Sequence, residues 1–201
     1  LGCGWGGMLK CIYDVTGDRN NLSGCTLSKQ QLAYIKSELG LNVSLTNFIT
    51  VEYEEASYDK IFSIGAMEHV RPNEILRLLQ KLYSALKPGG KLVQQFFSLE
   101  KEACPASMVL GQLFFPGSLL ATHSLHLHAA EQAGFKITHD SVDDYKPTLR
   151  AWCENLVNNK EKAIDLVGVA IYNKYLSFFP IFWRFFKEEE ARLHRLVLEK
   201  V

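Results

Sequence analysis

The sequence predicts an α/β protein in which a mostly parallel sheet is flanked by helices, and three observations carry that prediction. The chain opens LGCGWGG, residues 1–7, a glycine-rich turn that leads into Met8, Leu9, Cys11 and Ile12 at helical spacing. Short apolar runs then alternate with amphipathic stretches as far as residue 97. One of those runs, YDKIFSIGA at 58–66, has the continuous apolar character of a strand buried on both faces.

The elements follow in order. A helix is expected over 6–16, then the loop GDRNN, then a short strand over 22–26 ending at Leu27 and Ser28, where Ser28 is placed to cap the next helix. That helix carries Leu32, Ile35 and Leu39 on one face and stops at Gly40, a C-cap. Strands are expected over 42–48 and 58–66. A helix over 73–86 shows Ile75, Leu78, Leu79, Leu82 and Leu86 at helical spacing, and KPGG closes it before a strand over 91–97. Beyond Pro105 the pattern gives FFPGS at 114–118, a helix near 119–133, a strand over 134–142, helix over 148–187 and a last strand over 192–199. With no repeat and no low-complexity linker, these belong to one domain over 1–201, and the aromatic content after Phe96 suggests a helical lid or pocket wall. A domain does not normally begin on a turn, so a strand is expected upstream of Leu1.

Bulk properties narrow the function. The 201 residues, 47% apolar, suffice for one substantial core, and the balance of 22 basic against 22 acidic residues gives no bias toward nucleic acid. Five cysteines at 3, 11, 25, 104 and 153 lack paired spacing and read as reduced thiols of a cytoplasmic protein. No apolar run reaches the roughly 18 residues of a membrane-spanning helix, leaving a soluble or membrane-peripheral chain.

In an open parallel sheet, ligands bind beyond the carboxyl ends of the strands, and a glycine turn lets the backbone approach them. Phosphate binding by this turn is disfavoured: GCGWGGM has no Lys, its third Gly falls at the wrong interval for a dinucleotide fingerprint, and the strand over 22–26 ends in Thr26-Leu27-Ser28 with no acid for a ribose.

LGCGWGG, GCTLSKQQ (24–31), SYDKIFSIGAMEHV (57–70), LKPGGKL (86–92), FFPGS (114–118) and DYKPTLRAW (144–152), in this order and over essentially the whole chain, resemble the cyclopropane-fatty-acyl-phospholipid synthases. Their relatives include the mycolic acid cyclopropane synthases and fatty-acid methyltransferases. The resemblance implies a class I methyltransferase fold, Rossmann-like, with S-adenosylmethionine over Gly2, Cys3, Gly4 and Gly6 and contacted by the Thr26-Leu27 segment and Gln31. It also implies a bicarbonate base held by the Glu of EHV, a His on the next strand and the Tyr of YxxTL. Glu68 and Tyr145 fill two of those places, with His69 beside Glu68. The third falls on Gln95, which cannot become a cation.

The implied reaction is methyl transfer from a sulfonium to the double bond of an unsaturated lipid or another alkene. An alkene is a weak nucleophile, so the site must align it and keep water from the carbocation. Aromatic faces stabilise such charge, and Phe96, Phe97, Phe114, Phe115 and Tyr145 are the candidates. Loss of a proton closes a cyclopropane; deprotonation elsewhere followed by reduction leaves a methyl branch. The rivals are a coclaurine-type N-methyltransferase, in which Glu68 and His69 take an amine proton, an isoprenoid alkene C-methyltransferase, and a binding protein that keeps the fold without turnover. A homodimer and peripheral membrane contact stay open; nucleic acid is not expected.

Other signals read as structural. His123, His126 and His128 lie close in THSLHLH, yet 128 points away from the other two and no Cys or acid completes a tetrahedral set, so no metal is expected. Cys3 has no base nearby in sequence and reads as packing under the cofactor. YLSFFPIFWRFFK, 175–187, reads as a helix packed on the domain in preference to a bilayer dip or an acyl tunnel, because its charged flanks are sparse.

Overall fold

Leu86–Leu99 forms the longest strand of the computed structural model, which describes residues 1–100, 105–116 and 119–201. The order is α1 (Gly7–Thr16), β1 (Ser23–Thr26), α2 (Lys29–Tyr34), β2 (Asn42–Leu45), β3 (Tyr58–Ile64), α3 (Ile75–Ala85) and β4 (Leu86–Leu99). It continues α4 (Pro105–Phe114), α5 (His123–Gln132), β5 (Phe135–Asp143), α6 (Lys146–Asn158), α7 (Lys160–Lys187) and β6 (Ala191–Lys200). Cys104 and the Gly117-Ser118 end of the FFPGS motif lie outside the described residues.

The strands form two sheets. β1 and β2 pair parallel; β3, β4, β6 and β5 lie side by side in that order, with β3 parallel to β4 and the other two pairings antiparallel. The alternation expected through residue 97 therefore gives parallel pairs, and the antiparallel part comes from the C-terminal third, where β6 inserts between β4 and β5. Residues 1–3 run between the facing edges of β1 and β3. There the Leu1 nitrogen donates to the Phe62 carbonyl and the Cys3 amide to that of Cys25, both at 2.8 Å, beside a cavity of about 250 Å³.

Local signals hold closely. The Ser28 hydroxyl accepts the Gln31 amide at 3.3 Å, and the helix it starts ends at Gly40 after a π turn over Ile35–Leu39. α3 turns Ile75, Leu78, Leu79 and Leu82 inward, each 0–1% exposed, and full burial of such a side chain is worth about 1.5–3 kcal/mol. The expectation that β3 is buried on both faces is corrected, since Ile64 is 40% exposed. The KPGG turn survives as an excursion of β4 opposite β3, where the register jumps from Tyr58 against Leu86 to Lys60 against Lys91. The helix expected over 148–187 is two, joined near Asn159, and α7 departs from helical geometry at Gly168. α4 is a full helix, in a stretch for which the sequence pattern gave no element before FFPGS.

Successive residues of a strand point to opposite faces, and β4 uses both for packing. Leu92 and Phe96 join α3 and α5 in one core; Phe97 joins α6 and α7 in another, rich in phenylalanine.

Candidate active site

The glycine turn divides its work among three positions. A Cβ at Gly2 would meet the Ala66 Cβ at 2.8 Å, and one at Gly6 would meet the Leu39 side chain at 2.9 Å, so both must be bare for the turn to pack. At Gly4, in a left-handed conformation (φ 55°), a Cβ would meet nothing within 4 Å. Gly4 is thus the open floor of a cradle, and the contact between Gly2 and Ala66 sets that cradle beside Gly65 and Glu68. Cys3 is partly buried against Gly24, and burial pushes its thiol pKa up, as expected of a packing residue and not of a nucleophile.

Beyond β1, the Thr26 hydroxyl donates to Gln31 Oε1 at 2.6 Å and accepts the Ser28 amide at 3.2 Å. The two side chains expected to touch the cofactor are therefore locked together through the Gln31 oxygen, a contact that does not use its NH₂. Leu27 is 70% exposed at the same rim.

Next to the cradle lies a cavity of about 520 Å³ whose walls include Gly65, Glu68, His69, Phe97 and Tyr145. Glu68 sits in a 3-10 turn, Met67–His69, immediately after β3, and is 6% exposed. Its Oε1 accepts the Phe97 amide at 3.1 Å, while the buried Oε2 has no partner. Desolvation raises its pKa to about 7, against the opposing pull of backbone amides. Tyr145 is half-buried beside it: burial raises the phenol pKa, and the Glu68 charge adds to the effect. His69 is exposed and rests against Phe115, ring centroids 5.8 Å apart.

One expectation is corrected by strand alternation. Phe96 is fully buried on the opposite face of the sheet, against His126, and does not reach the cavity. Gln95 is not among the cavity's lining residues; its Oε1 accepts from Arg195 Nε at 3.2 Å, and Arg195 Nη1 reaches Asp143 at 3.2 Å. The side chain at the position where the resemblance implies an imidazole is thus hydrogen-bonded to a guanidinium, a contact that the sequence did not disclose. Phe114 packs against Phe178 behind the wall, whereas Phe97, Phe115 and Tyr145 do face the cavity. The helix over 175–187 packs on the domain as expected, yet its Phe178, Phe182 and Phe185 also wall the cavity. Leu149 and Trp152, both within the DYKPTLRAW motif, also line it, as does Met108, which carried no signal in the sequence.

With this geometry in place, comparison with known proteins is decisive. The family model described as mycolic acid cyclopropane synthetase matches residues 1–196. The chain belongs to that family. It is 26% identical to the S-adenosylmethionine-dependent methyltransferase UmaA of Mycobacterium tuberculosis, over 100% of this chain and 76% of that protein. It is 28% identical to the sphingolipid C9-methyltransferase of Candida albicans, over 92% of this chain but only 38% of that protein. The cyclopropane synthase MmaA2 from Mycobacterium tuberculosis superposes with a TM-score of 0.90 at 22% identity, covering 100% of this chain and 76% of that one. The fold is the class I methyltransferase fold, and the chain is an S-adenosylmethionine-dependent methyltransferase. The open cradle at Gly4 and the Gln31 donor fit that cofactor.

Proposed function

We propose that this methyltransferase acts on the double bond of an unsaturated lipid, adding one carbon to the acyl chain. The observation that supports this reading most directly is the cavity itself: its walls are mostly aliphatic and aromatic, and they include one buried carboxylate, Glu68, of pKa about 7. Bound S-adenosylmethionine supplies an electrophilic methyl group on a sulfonium. Gly2, Gly4 and Gly6 would hold it flush against the main chain, with Gln31 donating from the rim.

The remaining work falls to the chain's own residues. Phe97, Phe115, Phe182 and Tyr145 align the alkene, keep water out and offer ring faces to the carbocation formed when the methyl bonds to one alkene carbon. Each well-placed ring is worth roughly 0.5–2 kcal/mol of cation stabilisation. Glu68, ionised, accepts a proton from the newly added methyl through its carboxylate, and the released C–H electron pair closes the three-membered ring. A base with a pKa near the working pH is suited to that transfer. Of the three implied holders of bicarbonate, Glu68 and Tyr145 face the cavity, while the Gln95 amide oxygen is committed to Arg195. The Glu68 carboxylate is therefore assigned the proton directly.

Incubation with methyl-labelled S-adenosylmethionine and unsaturated phospholipid should place label in the acyl chain, and mass spectrometry of the released fatty acid separates cyclopropane from methyl branch. Label recovered only in a small amine would reject the reading in favour of N-methylation.

A further inference from the structure

On the face of the sheet opposite the cavity, imidazoles and carboxylates converge. His194 of β6 pairs with Phe96 of β4 in the antiparallel ladder, and directly opposed residues share a face. Its side chain thus points toward α5, away from Glu68 and Tyr145. His123, the first residue of α5, stacks on it with ring centroids 3.9 Å apart and planes at 13°. A carboxylate flanks each ring: Asp140 Oδ1 lies 3.1 Å from His123 Nε2, and Glu100 Oε1 lies 3.2 Å from His194 Nε2. One nitrogen of each ring and one Asp140 oxygen all lie within 4.8 Å of one another. His194 is 1% exposed, and its Nδ1 is buried with no hydrogen-bond partner.

These donors come from three separate elements, which is why the local spacing of THSLHLH did not reveal them. Of that motif only His123 takes part: His126 packs on Phe96 and His128 is exposed. We propose that His123, Asp140 and His194 bind a divalent first-row transition metal, zinc(II) fitting best, and so staple the start of α5 to β5 and β6. Two imidazoles and a carboxylate form a donor set that zinc accepts in a tetrahedral arrangement, with water in the fourth position. Glu100 acts as the outer partner: by accepting the His194 Nε2–H it leaves the lone pair on Nδ1, the arrangement by which carboxylates orient metal-binding histidines. His123 is partly exposed, so its ring has room to leave the stack on His194, as in-plane ligation of a shared ion by both imidazoles requires.

The probe is zinc chloride, titrated into the purified, metal-stripped chain in competition with a chromophoric chelator. One zinc per chain is expected, together with a rise in unfolding temperature. His123→Ala and Asp140→Asn, both at partly exposed positions, should abolish stoichiometric binding and that rise, whereas His128→Ala on the same helix should change neither. Glu100→Gln should weaken binding about 10–100-fold. Substituted cobalt(II) should show a four-coordinate spectrum without a thiolate charge-transfer band. The proposal is overturned if the wild type binds no stoichiometric zinc, or if His123→Ala and Asp140→Asn keep wild-type affinity, which would put the ion on thiols such as the exposed Cys11.

Discussion

The Phe97 amide holds one oxygen of the Glu68 carboxylate at 3.1 Å and leaves the other oxygen buried and unpaired, in a residue that lines an apolar cavity. Half-satisfied in this way, Glu68 is poised between its two protonation states.

The native-state pKa of Glu68, about 7, lies above the ordinary value of 4.5. The folded state therefore keeps the proton to higher pH than the unfolded chain. Its stabilising contribution is complete below about pH 4.5 and is lost as pH rises through about 7. The full span is worth roughly 3 kcal/mol at 1.36 kcal/mol per pKa unit. Glu68→Gln, uncharged at all pH values, should be more stable than wild type at pH 8 by up to that amount and should have lost turnover. Thermal unfolding and lipid methylation, each measured at pH 5 and pH 8, check both; wild-type turnover should rise with pH through about 7, and a flat profile would remove Glu68 as the base.

Gly4 and Gly2 should separate binding from folding. Gly4→Ala places a methyl group in open space at positive φ, costing about 1–2 kcal/mol of stability while weakening S-adenosylmethionine binding at least tenfold in calorimetry. Gly2→Ala drives its Cβ to 2.8 Å from that of Ala66 and should destabilise the fold further. Unchanged affinity in Gly4→Ala would remove the cradle from the cofactor site.

Thr26→Val keeps the shape of the side chain but strands the Ser28 amide and frees Gln31 from its 2.6 Å bond. The expected cost is about 1–3 kcal/mol, read by chemical denaturation. A parallel loss of cofactor affinity is expected, because Gln31 is no longer held in one orientation.

Met108 is 59% exposed and lines the cavity. Met108→Trp should obstruct acyl entry, lowering turnover on long-chain substrates more than tenfold while stability stays within about 0.5 kcal/mol. Equal effects on short and long substrates would argue that the chain enters elsewhere.

The helix periods, the Ser28 cap, the Gly40 stop and the glycine turn were legible in the sequence because each is set by residues within one or two turns of one another. The EHV and YxxTL segments marked Glu68 and Tyr145 through resemblance, and the structure brings both to one cavity. Which residues share a cavity wall, however, depends on the face each strand residue takes once paired: Phe97 faces the cavity while its neighbour Phe96 is sealed beneath α5. Hydrophobic content and spacing are identical for the two, so only the sheet could tell them apart.

Local chemistry, then, was fixed by the order of residues: where the chain turns, where helices begin, and which turn can lie bare against a ligand. The packed chain alone decided the pairings between distant residues. Arg195 stands behind Gln95 across 100 positions, and His194 meets His123 across the interface of β6 and α5. Such contacts arise where burial removes water as an alternative partner, so their energies depend on neighbours that no stretch of sequence contains.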